Sequence, residues 1–103
     1  MMEFQSKAKY KIVPTTRFKK QMRKLVKSGT FRKKDMAELI DVINRLANGE
    51  TIGEKYRDHK LTNCDAGDRE FHFRPDLLVV YSYFEDFLIF ELAEIGFHSE
   101  LFG

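Results

Sequence analysis

Cysteine is nearly absent from this 103-residue sequence, and tryptophan is absent altogether. Because Cys64 is the single cysteine, an intramolecular disulfide is excluded, and so is a paired-cysteine metal site. Charged residues interrupt each apolar run within about ten positions, whereas a membrane-spanning helix needs about 20 apolar residues. The N-terminus also lacks the apolar core of a secretory signal. We therefore expect a reduced, cytoplasmic protein without a membrane span.

Long linkers, internal repeats and low-complexity tracts are missing as well. Hydrophobic residues make up 43% of the chain and ten residues are Phe, which is typical of a globular protein and unlike a disordered one. A chain of this length buries most of its apolar surface in one core. We expect a single domain over residues 1–103.

The charges are distributed unevenly along the chain. Residues 1–34 contain twelve Lys or Arg and only one acid, Glu3, whereas residues 61–103 contain nine acids and only Arg69 and Arg74. A basic first third favours contact with a polyanion such as nucleic acid. The alternative is that these cations are the solvated faces of amphipathic helices, and the charge pattern alone leaves both open.

The first half of the sequence predicts a strand followed by two helices. A short strand over 10–13 should end at Pro14, and Thr15 or Thr16 is suited to cap the following helix. The apolar positions of the first helix recur at helical spacing: Phe18, Met22, Leu25 and Val26. The second helix has the same kind of apolar face: Met36, Leu39, Ile40, Ile43, Leu46 and Ala47.

Two glycines mark the ends of these helices. Ser28-Gly29 and Asn48-Gly49 are typical C-terminal stops, so the helices should form a hairpin. Lys and Arg fill the face of the first helix opposite its apolar positions. The hairpin should therefore pack its apolar side on a sheet and expose a cationic outer side.

The second half predicts a loop over 51–68 and then β structure. Residues 69–74 alternate between aromatic and polar side chains, as in a half-buried strand, and Pro75-Asp76 forms a turn. The apolar run 77–84 is typical of a central strand, and a further strand should extend from Phe87 to about Ala93. The predicted fold is α+β, in the order β-α-α-β-β-β, with the helical hairpin on a small, mostly antiparallel sheet.

Three histidines, His59, His72 and His98, lie outside the predicted helices. Glu70 and His72 are two apart in a strand, so both should emerge on the face opposite Phe71 and Phe73, and Arg74 should point the same way. A carboxylate and an imidazole on one face can exchange protons. Metal-free RNA cleavage requires a base for the 2′-hydroxyl, an acid for the leaving 5′-oxygen and cations for the phosphate.

Other interpretations of these residues remain open at this point. Glu70 and His72 could simply be polar residues on a solvent face. A metal site is disfavoured because no tight pair such as HExxH is present, and we expect neither a metal nor another cofactor. A nucleophilic Cys64 is disfavoured because its neighbour Asp65 would raise the pKa of the thiol. Asp76 in the turn could bring a second carboxylate to the same face.

Three motifs together resemble the YafQ-like branch of the RelE toxin superfamily: YRDHKL at 56–61, REFHFRPD at 69–76 and GFHSELFG at 96–103. The resemblance covers nearly the whole chain. It implies a RelE-like fold and a ribosome-dependent endoribonuclease, an mRNA interferase that cuts mRNA without a metal. It also implies a cognate antitoxin that silences the toxin, contact with ribosomal RNA, and DNA contact only through the antitoxin.

The resemblance also implies which residues carry the activity. The implied catalytic residues are His59, Glu70, His72, Asp76 and His98. The implied substrate-binding residues are Lys60, Arg69, Arg74 and Phe102, together with Lys19, Lys20 and Arg23 on the basic helix. In these roles His98 is the general acid, and His72 is the general base with Asp76 as its orienting partner. His59 contacts the phosphate or the transition state. Phe102 stacks on a nucleobase of the RNA.

One position departs from the family pattern. Relatives commonly carry an arginine just before the terminal Gly-x-His, and here Glu94 stands near that place. Three explanations are open: Arg74, Arg69 or Lys60 supplies the missing cation, the activity is weak, or the alignment through residues 93–95 is shifted. Two alternatives remain at this point: a non-catalytic toxin on the same scaffold, such as a gyrase inhibitor, and a plain RNA-binding or ribosome-associated module without chemistry.

Overall fold

The computed structural model describes residues 8–62 and 68–102. Its strands are β1 (Lys11–Pro14), β2 (His59–Lys60), β3 (Arg69–Arg74), β4 (Leu77–Phe84) and β5 (Ile89–Phe97). Its helices are α1 (Thr16–Lys27), α2 (Lys33–Ala47) and the short α3 (His98–Phe102). The predicted α+β class is confirmed, and the order differs from the predicted β-α-α-β-β-β by the additional strand β2 and the additional helix α3.

The ends of the two long helices follow the sequence signals. Thr15 caps α1, because its Oγ1 accepts a hydrogen bond from the amide of Phe18 at 3.0 Å. Gly29 and Gly49 end α1 and α2 with φ values of 80° and 79°, a left-handed conformation that glycine adopts without a steric penalty. The predicted stops are therefore confirmed.

The five strands form one sheet in the order β1-β5-β4-β3-β2. β1 pairs with β5 in parallel, and the other pairs are antiparallel. β1 pairs with only the first part of β5, and α1 runs beside the rest. Gln21 Oε1 accepts a hydrogen bond from the amide of Ile95. Thr15 Oγ1 donates one to the carbonyl of Ala93. Side chains of α1 and of its N-cap residue thus pair polar groups at the edge of the sheet.

The two faces of the sheet differ in chemistry. One face packs against the helices and forms the core, which includes Phe71, Tyr81 and Phe90 from the sheet with Phe18 and Ile43 from the helices. The cross-strand partners on the other face are Glu70 with Val80, His72 with Leu78, and Val80 with Glu94. Glu70 and His72 of β3 therefore lie on the face away from the hydrophobic core.

Several boundaries differ from the prediction. β5 extends to Phe97 instead of ending near Ala93, and the predicted loop 51–68 contains a 3₁₀ turn at Glu54–Tyr56 and the strand β2. Val26, predicted in the core, has 48% of its surface exposed. Within the described ranges, the structure contains no helix with the length and apolar character needed to cross a membrane.

Candidate active site

His59, Glu70 and His72 meet on the open face of the sheet. Oε1 of Glu70 lies 3.4 Å from Nε2 of His59 and 3.4 Å from Nε2 of His72. Glu70 and His72 share a face because they are two apart in β3, whereas His59 arrives through the pairing of β2 with β3, which places it directly opposite Glu70. We call these three residues the His-Glu-His cluster.

Each imidazole of the cluster is held by a backbone carbonyl. Nδ1 of His59 lies 2.7 Å from the carbonyl oxygen of Arg57, and Nδ1 of His72 lies 3.1 Å from that of Pro75. A carbonyl oxygen only accepts hydrogen bonds, so Nδ1 carries the proton in both rings. Nε2 of each ring is then directed toward Glu70. This atom carries a lone pair in the neutral ring and an N–H donor in the imidazolium form.

Glu70 is the buried member of the cluster, with 5% of its surface exposed, whereas His59 is exposed and His72 half-buried. A carboxylate away from water interacts more strongly with nearby charge than an exposed one does. The cluster therefore combines a shielded carboxylate with two imidazoles that substrate can approach. Such a group can accept, hold and return a proton.

The turn between β3 and β4 connects the cluster with the third histidine. The carbonyl of Pro75 holds the ring of His72, and the carbonyl of the adjacent Asp76 accepts a hydrogen bond from the amide of His98 at 3.0 Å. His98 begins α3 directly after Phe97, which pairs with Leu77 at the end of the sheet. One tight turn thus positions His72 and the start of α3, and the carboxylate of Asp76 is on the exposed surface of that turn.

Arg74 does not point toward the cluster, and that prediction was wrong. A register shift between His72 and Arg74 breaks the alternation of side chains, as β-bulges do. The guanidinium instead contacts α2, with Nη2 at 2.8 Å from Asp35 Oδ1 and 3.2 Å from Glu38 Oε1. The hydrogen bond from Arg74 is the main cause that lowers the pKa of Glu38. The pKa of Asp35 is lowered chiefly by the hydrogen bond from the Arg32 amide, and further by the one from Arg74.

Arg69 is likewise paired within the chain, with one carboxylate and one hydroxyl. Its Nη2 lies 3.2 Å from Asp58 Oδ2 and its Nε donates to the hydroxyl of Tyr81. The hydroxyl of Tyr81 also donates to Asp58, and burial raises the pKa of Tyr81. Of the three cations proposed to replace the family arginine, only Lys60 is on the exposed surface beside His59.

Glu94 has a cationic partner that was not predicted from the sequence. Nη1 of Arg17, in the first turn of α1, lies 3.2 Å from Glu94 Oε1. The Arg17 side chain is 71% exposed and that of Glu94 only 12%. Neither periodicity nor spacing connects positions 17 and 94, so no sequence signal indicated this pair.

The cations of α1 surround an apolar groove beside α2. Lys19 and Arg23 line it, and Lys20 lies on the exposed side of the same helix. The groove has a volume of about 560 Å³, and its apolar lining consists of Pro14, Phe18, Met22, Val26, Phe31 and Met36. Arg32, Lys33 and Lys27 add further positive charge at its rim. We call this feature the basic-rimmed groove.

The cluster is also the part of the described chain in which His and acidic side chains come close enough to hold a metal ion. One ligand atom from each of His59, Glu70 and His72 lies within 4.8 Å of the others. The sequence disfavoured a metal site because it has no tight ligand pair, and it is the pairing of β2 with β3 that brings His59 to Glu70 and His72. The side chain of Phe102, the predicted stacking residue, lies outside what the structure describes, and so do Cys64 and Asp65.

Comparisons with known proteins agree on one family. Residues 10–103 match the family described as YafQ, a bacterial toxin of a type II toxin-antitoxin system. The chain is similar to the mRNA interferase toxin YafQ of Escherichia coli strain K12, with 34% identity over 84 residues, which cover 81% of this chain and 89% of that relative.

Solved structures share the fold. A metal-bound toxin from Helicobacter pylori has 37% identity and a TM-score of 0.79, and the similarity covers 90% of this chain and 99% of that one. The DinJ-YafQ toxin-antitoxin complex of E. coli contains a chain with 21% identity and a TM-score of 0.76, covering 92% and 99% of the two chains. At that identity the second structure supports the fold alone.

Proposed function

The chain belongs to the YafQ family of bacterial type II toxins, and we propose that it is an endoribonuclease that cuts mRNA on the ribosome without a metal. The observation that carries this proposal is the convergence of Nε2 of His59 and His72 on the buried carboxylate of Glu70. An mRNA interferase of E. coli is among its relatives, at 34% identity. Its site of action would be the cytoplasm, where ribosomes translate mRNA.

The proposed reaction needs only proton transfer and charge stabilisation. A base removes the proton from a ribose 2′-hydroxyl, the 2′-oxygen forms a bond to the adjacent phosphorus, and the bond from phosphorus to the 5′-oxygen breaks. An acid then supplies a proton to the leaving 5′-oxygen. The products are a 2′,3′-cyclic phosphate and a free 5′-hydroxyl, so no water and no metal enters this step.

We assign the base to the pair of His72 and Glu70, and the acid to His98. The carbonyl of Pro75 fixes the ring of His72 so that its Nε2 faces Glu70, which supports a role in proton transfer. His59 is placed to stabilise the negative charge that develops on the phosphate. An orienting role for Asp76 and base stacking by Phe102 remain predictions from the family resemblance.

We propose that the RNA backbone lies along the exposed cations of the chain. Lys60 flanks His59, and Lys19, Lys20 and Arg23 form a second group of exposed cations on α1. Arg69 and Arg74 contribute less to RNA binding because each is paired with carboxylates of the chain itself. Arg17 offsets the charge of Glu94, so this acid repels phosphate less than an unpaired carboxylate would.

We propose that an antitoxin silences the chain by seating an acidic amphipathic segment in the basic-rimmed groove. The groove has an apolar lining for the apolar side of a helix and at least three rim cations, Lys19, Arg23 and Lys27, for its acidic side. Because Lys19 and Arg23 also belong to the proposed RNA surface, such a segment would exclude RNA directly. DNA contact would occur only through the antitoxin.

A synthetic peptide tests the groove. The probe is a 20-residue helical peptide with Leu at positions i, i+3, i+4 and i+7 and Glu elsewhere, measured against a scrambled peptide of the same composition. We expect Val26→Glu to weaken binding at least about tenfold, because Val26 is exposed and lines the groove. Leu88→Glu, at another exposed apolar position, is the control. If Leu88→Glu weakened peptide binding and Val26→Glu did not, the interface would lie at the turn between β4 and β5.

Cell-free translation tests the nuclease. The purified chain is added to a translation reaction, and mRNA ends are mapped by primer extension. We expect new ends inside codons occupied by ribosomes, absent with His72→Ala and present with the control Asp86→Asn, which lies at the opposite end of β4. Intact mRNA despite ribosome binding would contradict the nuclease and favour a module that binds without chemistry.

A further inference from the structure

We propose that Asp58, Arg69 and Tyr81 form an anchor on the core side of the sheet that positions His59 for catalysis on the opposite side. Each of the three acts through His59 and not on the substrate, so each is a positioning residue. We call them the Asp-Arg-Tyr anchor. The inference rests on the proposed nuclease function, in which His59 stabilises the charge that develops on the phosphate.

The side chains of the anchor form a closed set of hydrogen bonds. The hydroxyl of Tyr81 donates to Oδ1 of Asp58 and accepts a hydrogen bond from Nε of Arg69 at 3.2 Å. Nη2 of Arg69 donates to Oδ2 of Asp58 at 3.2 Å. Hydrogen bonds to a charged partner are stronger than those between neutral groups. Both carboxylate oxygens of Asp58 are engaged, which fixes the orientation of this side chain as well as its position.

The two partners of Asp58 stand on a rigid base. Tyr81 is fully buried, and the centroid of its ring lies 5.1 Å from that of Phe90 and 6.0 Å from that of Phe71. Arg69 lies directly opposite Tyr81 in the pairing of β3 with β4. Close packing leaves such a ring little freedom to move. The core of the protein thus determines where the carboxylate of Asp58 is held.

The strand that carries His59 is short and depends on this anchor. β2 contains only His59 and Lys60, both exposed, and it is the edge strand of the sheet. Asp58 directly precedes it. Successive side chains of an extended chain point to opposite sides, so Asp58 reaches Tyr81 in the core while His59 faces Glu70 on the open face. The anchor therefore holds the chain one residue before the catalytic ring.

The backbone of Arg57 adds a second, independent observation. Its φ of 49° lies in the left-handed region, which is unfavourable for a residue other than glycine and persists where the surrounding structure enforces it. The carbonyl of Arg57 lies 2.7 Å from Nδ1 of His59. If Asp58 were released, Arg57 would relax toward an ordinary conformation. His59 would then lose the carbonyl that sets its tautomer and its direction toward Glu70.

Single-turnover cleavage of mRNA on the ribosome tests the anchor. Tyr81→Phe removes only the hydroxyl, and Asp58→Ala removes the carboxylate. We expect each variant to cleave about 10- to 100-fold more slowly than the parent, with unchanged affinity for single-stranded RNA, because displacing a catalytic group by about 1 Å costs up to about 10²-fold in rate. The matched control is Tyr83→Phe, which loses a hydroxyl that donates to the carbonyl of Leu46 at 2.8 Å and should cleave at the parent rate.

The His59→Ala background separates positioning from stability. If Tyr81 acts through His59, Tyr81→Phe should have no further effect on cleavage once the imidazole is absent, because both changes remove the same interaction. A general loss of folding would lower the rate by the same factor in both backgrounds. That second result, or parent-like cleavage by both Tyr81→Phe and Asp58→Ala, would overturn the proposal.

Nitrogen NMR of the imidazoles tests the geometry without RNA, at a pH where the rings are neutral. We expect the Nδ1–H form of His59 in the parent and in Tyr83→Phe, and a mixture of both tautomers in Tyr81→Phe and Asp58→Ala, with His72 unchanged. An unchanged His59 spectrum in both anchor variants would overturn the proposal. A parent chain that never cuts RNA would contradict the nuclease, and the NMR changes would still establish that the anchor positions His59.

Discussion

Nε2 of His72 lies 3.4 Å from Oε1 of Glu70, two residues earlier on the same strand. Strand geometry puts both side chains on one face, and the carbonyl of Pro75 turns the ring toward the carboxylate. The pair is therefore fixed by local backbone structure and needs no substrate to form. This preorganisation is what the proposed proton transfer requires.

The first prediction concerns the two members of this pair. Glu70→Gln and His72→Ala should each reduce the rate of RNA cleavage about 10²- to 10⁴-fold, the usual contribution of a general base. The measurement is single-turnover cleavage with saturating chain. Asp86 is an exposed acid at the other end of the sheet, so Asp86→Asn should cleave at the parent rate. If Glu70→Gln cleaved as fast as Asp86→Asn, the assignment of the base to Glu70 and His72 would be contradicted.

The second prediction concerns pH and stability. Folding lowers the pKa of Glu38 below its ordinary value of 4.5, chiefly through the hydrogen bond from Arg74, and the Arg32 amide and Arg74 lower that of Asp35 below 3.8. A carboxylate with a lowered pKa contributes stability that is complete above its unfolded-state pKa and is lost as the pH falls through its folded-state pKa.

Arg74→Met should therefore melt a few degrees below the parent at pH 7, and the difference should narrow below about pH 4. Methionine keeps apolar contact with Phe73, over which the guanidinium lies. The measurement is Tm by circular dichroism across pH 2.5–7. Arg45→Gln, which breaks an exposed pair with Asp41 on α2, is the matched control. A constant difference across this range would contradict the role of these two carboxylates.

The third prediction concerns RNA affinity. Substituting Lys19, Lys20 and Arg23 together with Gln should weaken binding of a single-stranded RNA and should reduce the salt dependence of log K by about 0.7 for each phosphate that the variant no longer neutralises. Filter binding between about 50 and 200 mM salt measures both the affinity and the slope. If the slope of log K against log salt concentration were unchanged, the RNA would have to bind away from these three residues. Arg45→Gln again serves as the control.

The fourth prediction concerns α3. A Cβ atom at Gly96 would lie 3.1 Å from Cδ2 of Leu101, tighter than ordinary contact. Gly96→Val should therefore displace α3, and with it His98. The loss of cleavage rate should be larger than the change in Tm can explain. Cleavage and melting of the variant are compared with those of Gly53→Ala, where a Cβ meets no atom closer than 4.0 Å. Full activity of Gly96→Val would contradict a role for His98.

The sequence predicts the parts of this fold that depend on local signals. Thr15, Gly29, Gly49 and the Pro75-Asp76 turn each act through nearby backbone, and the elements they delimit are confirmed. The shared face of Glu70 and His72 follows from the two-residue period of a strand. These features need no knowledge of distant contacts.

The remaining features depend on long-range packing. His59 reaches Glu70 through a two-residue strand too short to produce a pattern, and Arg74 leaves the expected face because of a bulge that no residue type marks. The contact between Arg17 and Glu94 joins two ends of the chain. The proposed catalytic roles of Asp76 and His98 also remain predictions, because their chemistry depends on bound RNA.

The chemistry of the cleaved ends tests the central claim most directly. The chain is added to a reconstituted translation reaction that contains Mg²⁺ and a chelator selective for transition metals, and the termini of the mRNA fragments are identified. We expect 2′,3′-cyclic phosphate and 5′-hydroxyl ends that form with the chelator present and disappear with His72→Ala. Fragments with 5′-phosphate ends, or cleavage abolished by the chelator, would contradict metal-free attack by the 2′-hydroxyl.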